Sequence, residues 1–304
     1  MSVGGRGERQ PEGGHGAEPR ATLAIVVGSN GARGSVQRCL EAIEPQRDGV
    51  EVLVCEPQAS AEQVQVRYPW ATFIERRDAL IPELWRDGIE RTSAEVIALT
   101  ISPMIPASDW VVAIRAELRN ADVIAGAIDP GPGLRVSDFA EYLCRYAKDM
   151  RPFEPHPSID LPGDNSAYRR AVLVEARETY ADGFWEPVVN RALADRGARL
   201  FHTPVPVVYQ GRSAGWAAFT RQRLRHGEAH GRQRGERFSP ARNVLGVLGA
   251  PAVPVLLTAR ILREVSSRGP LGLRTLLALP HVLLFNIAWA VGEARGHLHA
   301  LRES

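Results

Sequence analysis

The sequence predicts an α/β fold in which a mostly parallel sheet carries helices on both faces, followed by an apolar helical region at the C-terminus. Three observations point there. Short β-prone apolar runs alternate with segments of helical spacing through the first half of the chain. The runs end in Gly, Ser, Asn or Pro, the residues that turn a chain. Two apolar stretches without charge close the sequence.

Ala21 to Val27 reads as the first strand, broken by Gly28-Ser29-Asn30-Gly31, and Ser35 to Ile43 as a helix through Val36, Cys39, Leu40 and Ile43. Val50 to Cys55 is a second strand ending at Glu56-Pro57, and Ala71 to Ile74 a third. Leu84 to Thr92 is a helix leading into the fourth strand, Val96 to Thr100. That strand runs into the turn Thr100-Ile-Ser-Pro103, where an open α/β sheet binds its ligands. The turn offers hydroxyls and no carboxylate before Asp109, so a divalent metal there lacks its usual anionic oxygens. Trp110 to Asn120 is expected as a helix and Asp122 to Ile128 as a strand, closed by Asp129-Pro-Gly-Pro-Gly133.

The second half opens on a tyrosine-bearing helix near Asp138 to Lys148 and a Pro-rich loop from Arg151 to Pro162. Gly163-Asp-Asn-Ser-Ala-Tyr-Arg-Arg170 and a helix from Pro187 to Arg196 follow. Leu200 to Tyr209 reads as an edge strand, because Pro204 and Pro206 cannot donate to a ladder on both sides. From Arg212 to Arg242, eight arginines stand against Glu228 and Glu236, a local charge of about +6. The expected organisation is a disordered tail over 1–20, an α/β domain over 21–211, a basic linker helix over 212–242 and an apolar helical region over 243–304.

Composition sets limits. With 304 residues, 44 % hydrophobic and 24 % charged, the chain buries a full core, and disorder throughout is excluded. A net charge of +2 is no footprint for nucleic acid. Of 37 basic residues only Lys148 is lysine, a bias of composition rather than a phosphate site. Cys39, Cys55 and Cys144 are odd in number and set among apolar residues, which suggests neither a disulfide framework nor zinc and fits a reducing cytosol.

The apolar stretches are Val244 to Ala259, with Pro251 and Pro254, and Thr275 to Gly292, 18 residues interrupted by Pro280, His281 and Asn286. Crossing the bilayer as a hairpin would carry Arg260, Arg263, Arg268 and Arg274 to the far side, against the positive-inside rule. Helices lying in the interface, with the arginine-rich approach drawn to anionic lipid, fit better. The alternative is a helical subdomain packed on the core.

With these residues in view, the chain resembles the family 2 glycosyltransferases, enzymes of the GT-A fold that move a sugar from a nucleotide diphosphate to an acceptor. The likeness runs from about Thr22 to Gly235. It rests on the order of the Ser29-Asn30 loop, Leu80-Ile-Pro82 to Gly88-Ile89, Val96 to Trp110, Gly163 to Arg170, Gly183-Phe-Trp-Glu186 and Arg221-Gln-Arg-Leu-Arg-His-Gly227. Ala288-Trp-Ala-Val-Gly-Glu-Ala294 is similar to the membrane-associated ending of many members.

The resemblance implies a nucleotide-sugar donor, a lipid-linked or cell-surface polysaccharide acceptor, and a place on the cytoplasmic face of the membrane. Glu186 takes the position of the general base of an inverting transfer, where an adjacent indole would raise its pKa; a helix-capping carboxylate is the alternative. Asp182 is the fallback. Ser29 and Asn30 either touch nucleobase and ribose or form a plain turn, and Glu56 stands where the family often has an aspartate on the nucleotide. Thr100 and Ser102 are left facing the donor. Asp164 and Asn165 reach sugar or acceptor hydroxyls, with Arg169 and Arg170 near the phosphates, or the segment is a turn with a solvated arginine face.

The family's cofactor is Mg²⁺ or Mn²⁺ on an Asp-x-Asp motif. Here that place reads Thr100-Ile-Ser-Pro103, and the later histidine position reads Val207-Val-Tyr209-Gln210, so ligands for either ion are not evident. Either arginines stabilise the leaving diphosphate, with Arg221, Arg223 and Arg225 nearest by motif, or catalysis has been lost. Gln222-Arg-Leu-Arg225-His226 departs from the Gln-x-x-Arg-Trp of processive members at His226. A Rossmann oxidoreductase is disfavoured, since Gly28-Ser-Asn-Gly-Ala-Arg-Gly34 has the wrong glycine spacing.

Overall fold

The computed structural model describes residues 22–29, 34–57, 62–212, 215–236 and 238–303. The tail expected over Met1 to Arg20 lies outside the described residues, as does Asn30.

In chain order the elements are β1 (Leu23–Gly28), α1 (Ser35–Ile43), β2 (Val50–Glu56), α2 (Glu62–Arg67), β3 (Ala71–Glu75), α3 (Ile81–Arg91), β4 (Val96–Ile101), β5 (Met104–Pro106), α4 (Trp110–Glu117) and β6 (Val123–Pro130). Then come α5 (Val136–Tyr146), β7 (His156–Pro157), β8 (Asn165–Arg169), α6 (Arg170–Glu175), α7 (Glu186–Asp195) and β9 (Leu200–Gln210). The C-terminal helices are α8 (Trp216–Gly235), α9 (Pro240–Gly249), α10 (Val253–Arg268) and α11 (Leu273–Glu303).

The strands form one sheet in the order β3-β2-β1-β4-β8-β6-β9-β5, with β7 added on β9. β1, β2, β3 and β4 are parallel, and β6 and β9 run the same way; β8 reverses between β4 and β6. All of β1 is buried, as a central parallel strand covered on both faces requires, and this is why its sequence is a continuous apolar run. Val36, Cys39, Leu40 and Ile43 are the buried apolar face of α1.

The edge position expected for Leu200–Tyr209 is not found. β9 lies between β6 and the three-residue β5. Its prolines fit because the β6 register breaks there: Ala125 pairs with His202, but Ala127 pairs with Val207. Pro204 and Pro206 occupy the unpaired interval, where a missing N–H costs no ladder bond.

The apolar C-terminal region packs on the basic helix. A Cβ on Gly231 would sit 2.2 Å from the Glu293 oxygen, and one on Gly292 only 2.1 Å from the Leu224 oxygen, so α8 and α11 are in backbone contact. The turn between α10 and α11 is fastened to the α/β domain on both sides. Arg268 donates to the Lys148 and Pro152 oxygens at 2.8 and 3.0 Å, and Arg274 donates to the Leu134 oxygen at 3.0 Å. Residues 240–268 and 273–302 are each long and apolar enough to cross a membrane, but only 11 % and 39 % of their apolar windows are buried, so much apolar surface faces outward.

Candidate functional site

Parallel pairing of β1, β2 and β4 brings their C-terminal ends to one edge. Gly28 is level with Cys55 and Ile101, so Ser29, Glu56 and Ser102 emerge together. Because β8 is antiparallel to β4, with Thr100 opposite Asn165, Asp164 enters at the same edge. Arg169 pairs with Val96 at the other end of β4, about 14 Å away at the usual rise per residue. Its guanidinium donates to the Leu118 and Ala121 oxygens, and Arg170 donates to those of Ile89, Thr92 and Ala94. The placement of this pair near phosphates is therefore corrected: both arginines tie loops together at the opposite edge.

Asn165 is also spent on the fold. It is buried, accepts from the Trp110 indole N–H at 2.8 Å, and donates to the Ala127 and Pro206 oxygens at 2.8 and 3.0 Å. Its acceptor and both amide hydrogens are engaged, so it joins β6, β8 and β9 rather than presenting an amide to a sugar.

Ser29, Glu56, Thr100 and Ser102 are all buried. The Ser29 N–H donates to the Cys55 oxygen at 2.8 Å. The Thr100 hydroxyl donates to the Asp164 main-chain oxygen at 2.9 Å, and Ser35 and Ser102 join hydroxyls at 2.8 Å. The turn after β4 thus holds neutral oxygens already in hydrogen bonds. Among the described residues no group of three His, Cys, Asp or Glu side chains converges as a metal site. Tyr209, at the expected histidine position, interacts with Arg151, itself paired with Asp129 at 2.7 Å. This donor set does not fit a hard divalent cation.

Glu186 begins α7, with Pro187 in the first turn. Its carboxyl group reaches back to Gly163, where a Cβ would lie 3.2 Å from its carboxyl carbon and 2.8 Å from the Trp85 ring. The buried indole beside this point is therefore Trp85, held by donation from its N–H to the Thr100 oxygen at 2.9 Å; Trp185 is 46 % exposed. Burial, and then the charge of Asp164, push Glu186 up to about 7, against its own backbone N–H, Arg145 and Lys148. Asp182, the fallback base, is exposed.

Two groups not singled out in the sequence complete the site. Asp164 accepts from the Tyr146 hydroxyl and from Arg145 at 3.2 Å. Burial disfavours the Arg145 cation, but Tyr146, Asp164 and Glu141 more than offset it and its pKa lies above the ordinary value. The one available signal was spacing: Glu141 and Arg145 stand four apart on a helix, and Tyr142 and Tyr146 repeat that interval.

The α8 arginines do not act as one cluster. Residues two apart on a helix point to opposite sides, so Arg221 and Arg225 are exposed while Arg223 turns toward α11. There it donates to Asn286 Oδ1 at 3.3 Å and stacks 4.4 Å from the Trp289 ring.

No protein-family model and no curated protein matches the chain. Among solved structures, it resembles the mannosyltransferase PcManGT from Pyrobaculum calidifontis, in complex with GDP-Man and Mn²⁺, at 17 % identity and a TM-score of 0.52, over 91 % of this chain and 88 % of that one. TarS 1-349 of S. aureus matches at 14 % identity over 67 % of this chain and 64 % of its own, TM-score 0.46. GalNAc-T7 with UDP, GalNAc and Mn²⁺ matches at 14 % over 65 % and 45 %, TM-score 0.47. The fold is the GT-A type, a mixed sheet flanked by helices, with apolar helices added at the C-terminus.

Proposed function

We propose that this chain is a glycosyltransferase that moves a sugar from a nucleotide-sugar to a hydroxyl of a lipid-linked or cell-surface polysaccharide acceptor, without a divalent metal on the β4 turn. The observation that carries the reading is the Glu186 carboxyl group, raised to about 7 beside Asp164 at the ligand-binding edge of a GT-A sheet.

In this reading the ionised Glu186 takes the proton of the acceptor hydroxyl as its oxygen attacks the anomeric carbon. The bond from that carbon to the diphosphate breaks, its electron pair leaves with the nucleoside diphosphate, and the anomeric centre inverts. Ser29, Asn30, Glu56, Thr100 and Ser102 border the donor through loop backbone and hydroxyls. The exposed Arg221 and Arg225 supply positive charge to the departing diphosphate, the role a cation fills elsewhere. Asp164 is held by Tyr146 and Arg145 and sets the field at Glu186.

The chain works at the cytoplasmic face of the membrane, with its outward apolar helix faces in the interface. The fastening of the α10–α11 turn by Arg268 and Arg274 supports an in-plane arrangement, because a spanning hairpin would carry that turn away from the domain it touches.

A second reading, a non-catalytic relative that binds a glycan, a nucleotide or a partner enzyme, is favoured by the hydroxyls of the β4 turn being used within the fold. A panel of nucleotide-sugars assayed for thermal shift and for donor turnover separates the two. Stabilisation with release of nucleoside diphosphate supports the transferase; stabilisation without release across donors and acceptors supports the binder.

A further inference from the structure

A cavity of about 180 Å³ lies where α5, α8, α10 and α11 meet, lined among others by Arg145, Lys148, Arg223, Arg260, Glu264 and Asn286. Four of these six side chains are cationic and one is acidic. Arg145 and Lys148 have carboxylate partners in Asp164 and Asp149, at 3.2 Å each. Arg223 does not: among the described residues no carboxylate lies within ion-pair distance, and its Nε is buried without a hydrogen-bond partner. A shielded guanidinium whose direct contacts are a neutral amide and an indole is a charge that calls for an anion. Burial accordingly holds its pKa below the ordinary value, with Arg145 adding to the effect and Cys144 opposing it.

We propose that this cavity receives the phosphate or diphosphate of a lipid-linked acceptor, whose chain runs out along the apolar faces of α10 and α11. The acceptor role rests on the transferase reading; the phosphate site itself does not. Size favours a head group, since the volume is well below the roughly 300–1,000 Å³ of pockets that enclose whole small molecules. Position favours a lipid over free phosphate. Arg260 is exposed at the rim, and Leu256, 66 % exposed, stands one turn before it on the same helical face. On α11, Leu273, Leu276, Leu277, Leu283, Leu284 and Ile287 continue an outward apolar stripe at helical spacing. Arg145 and Lys148 belong both to this cavity and to the charges around Glu186, so a sugar attached to the phosphate lies toward the base.

The test is co-sedimentation of the full chain with phosphatidylcholine vesicles, alone or with a few mole per cent of polyprenyl phosphate or of phosphatidylserine at matched charge. Polyprenyl phosphate is expected to tighten binding by roughly tenfold over matched phosphatidylserine, and Arg260→Gln and Arg223→Gln to remove most of that gain. Arg223→Lys keeps part of it. Arg263→Gln, which removes the same charge from an exposed site on α10 outside the cavity, leaves the gain intact. Equal gain from phosphatidylserine, equal loss in Arg263→Gln, or full competition by inorganic phosphate overturns the proposal. Arg260 is exposed, so its variant reports even where Arg223→Gln melts early. Selectivity for the lipid phosphate without any donor turnover would sink the transferase reading and leave this site standing; turnover without selectivity does the reverse.

Discussion

The Thr100 hydroxyl donates to the Asp164 main-chain oxygen at 2.9 Å, closing the turn after β4 against the start of β8. The hydroxyl at the end of β4 is thus a neutral oxygen already in use. Donor stabilisation is expected to be the same in EDTA as with added Mn²⁺ or Mg²⁺, measured as a shift in Tm. A shift that needs the metal would overturn this reading of the turn.

Glu186 sets a pH dependence. In the proposed transfer Glu186 acts as the carboxylate, and burial followed by the Asp164 charge raises its pKa to about 7. The rate kcat/KM is expected to rise about tenfold per pH unit below that value and to level above it. Glu186→Gln should lose roughly 10²- to 10⁴-fold and the rising limb with it. Asp164→Asn should move the limb to lower pH only in part, because burial, the larger cause, remains. Stability carries the opposite sign. The folded state holds its proton more tightly than the unfolded chain, so this group's contribution falls as pH rises from about 4.5 to about 7. Denaturant melts of wild type and Glu186→Gln across that window check it.

Asn165 is expected to matter for stability rather than for sugar binding. Asn165→Ala strands the Trp110 N–H and the Ala127 and Pro206 oxygens in the core, a loss of about 3 kcal/mol. Urea denaturation measures it. Unchanged stability with donor binding abolished would return Asn165 to the site.

Apart from α2 and the three-residue β5, the alternation of strands and helices up to β6 is legible, because those strands are either wholly buried or bounded by turn residues and those helices carry one apolar face. β8 is not legible as a strand. Its sequence, Asn165-Ser-Ala-Tyr-Arg169, is polar, and apart from Ser166, which donates to the nearby Gly163 oxygen, its buried polar side chains find partners far along the chain, such as Trp110 and Asn190. The same gap hid the roles of Arg169 and Arg170, whose partners lie about 50 and 80 residues away. Glu186 stands out as a candidate through its helix start and the family resemblance, whereas Arg145 and Tyr146 depend on how α5 meets β8. The contact of α8 with α11 was signalled by Gly227, Gly231, Gly292 and Gly296 at intervals of four, but nothing local says that two such stripes meet.

The α10–α11 turn provides the sharpest test of how the chain meets a membrane. Arg268 and Arg274 hold it on the α/β domain, so in the in-plane arrangement the turn and the domain face the same compartment. Pro270 is exposed at that turn, and Val112, 67 % exposed on α4, marks the domain. Pro270→Cys and Val112→Cys are each expected to react with a membrane-impermeant maleimide in inverted vesicles and to be protected in sealed, right-side-out ones. Background from the native thiols should be small, because burial pushes Cys39, Cys55 and Cys144 up to about 12 and keeps them protonated. Labelling of the two positions from opposite faces would mean that α10 and α11 cross the bilayer, and the arginine contacts of the turn would then have to be broken in the membrane-bound protein.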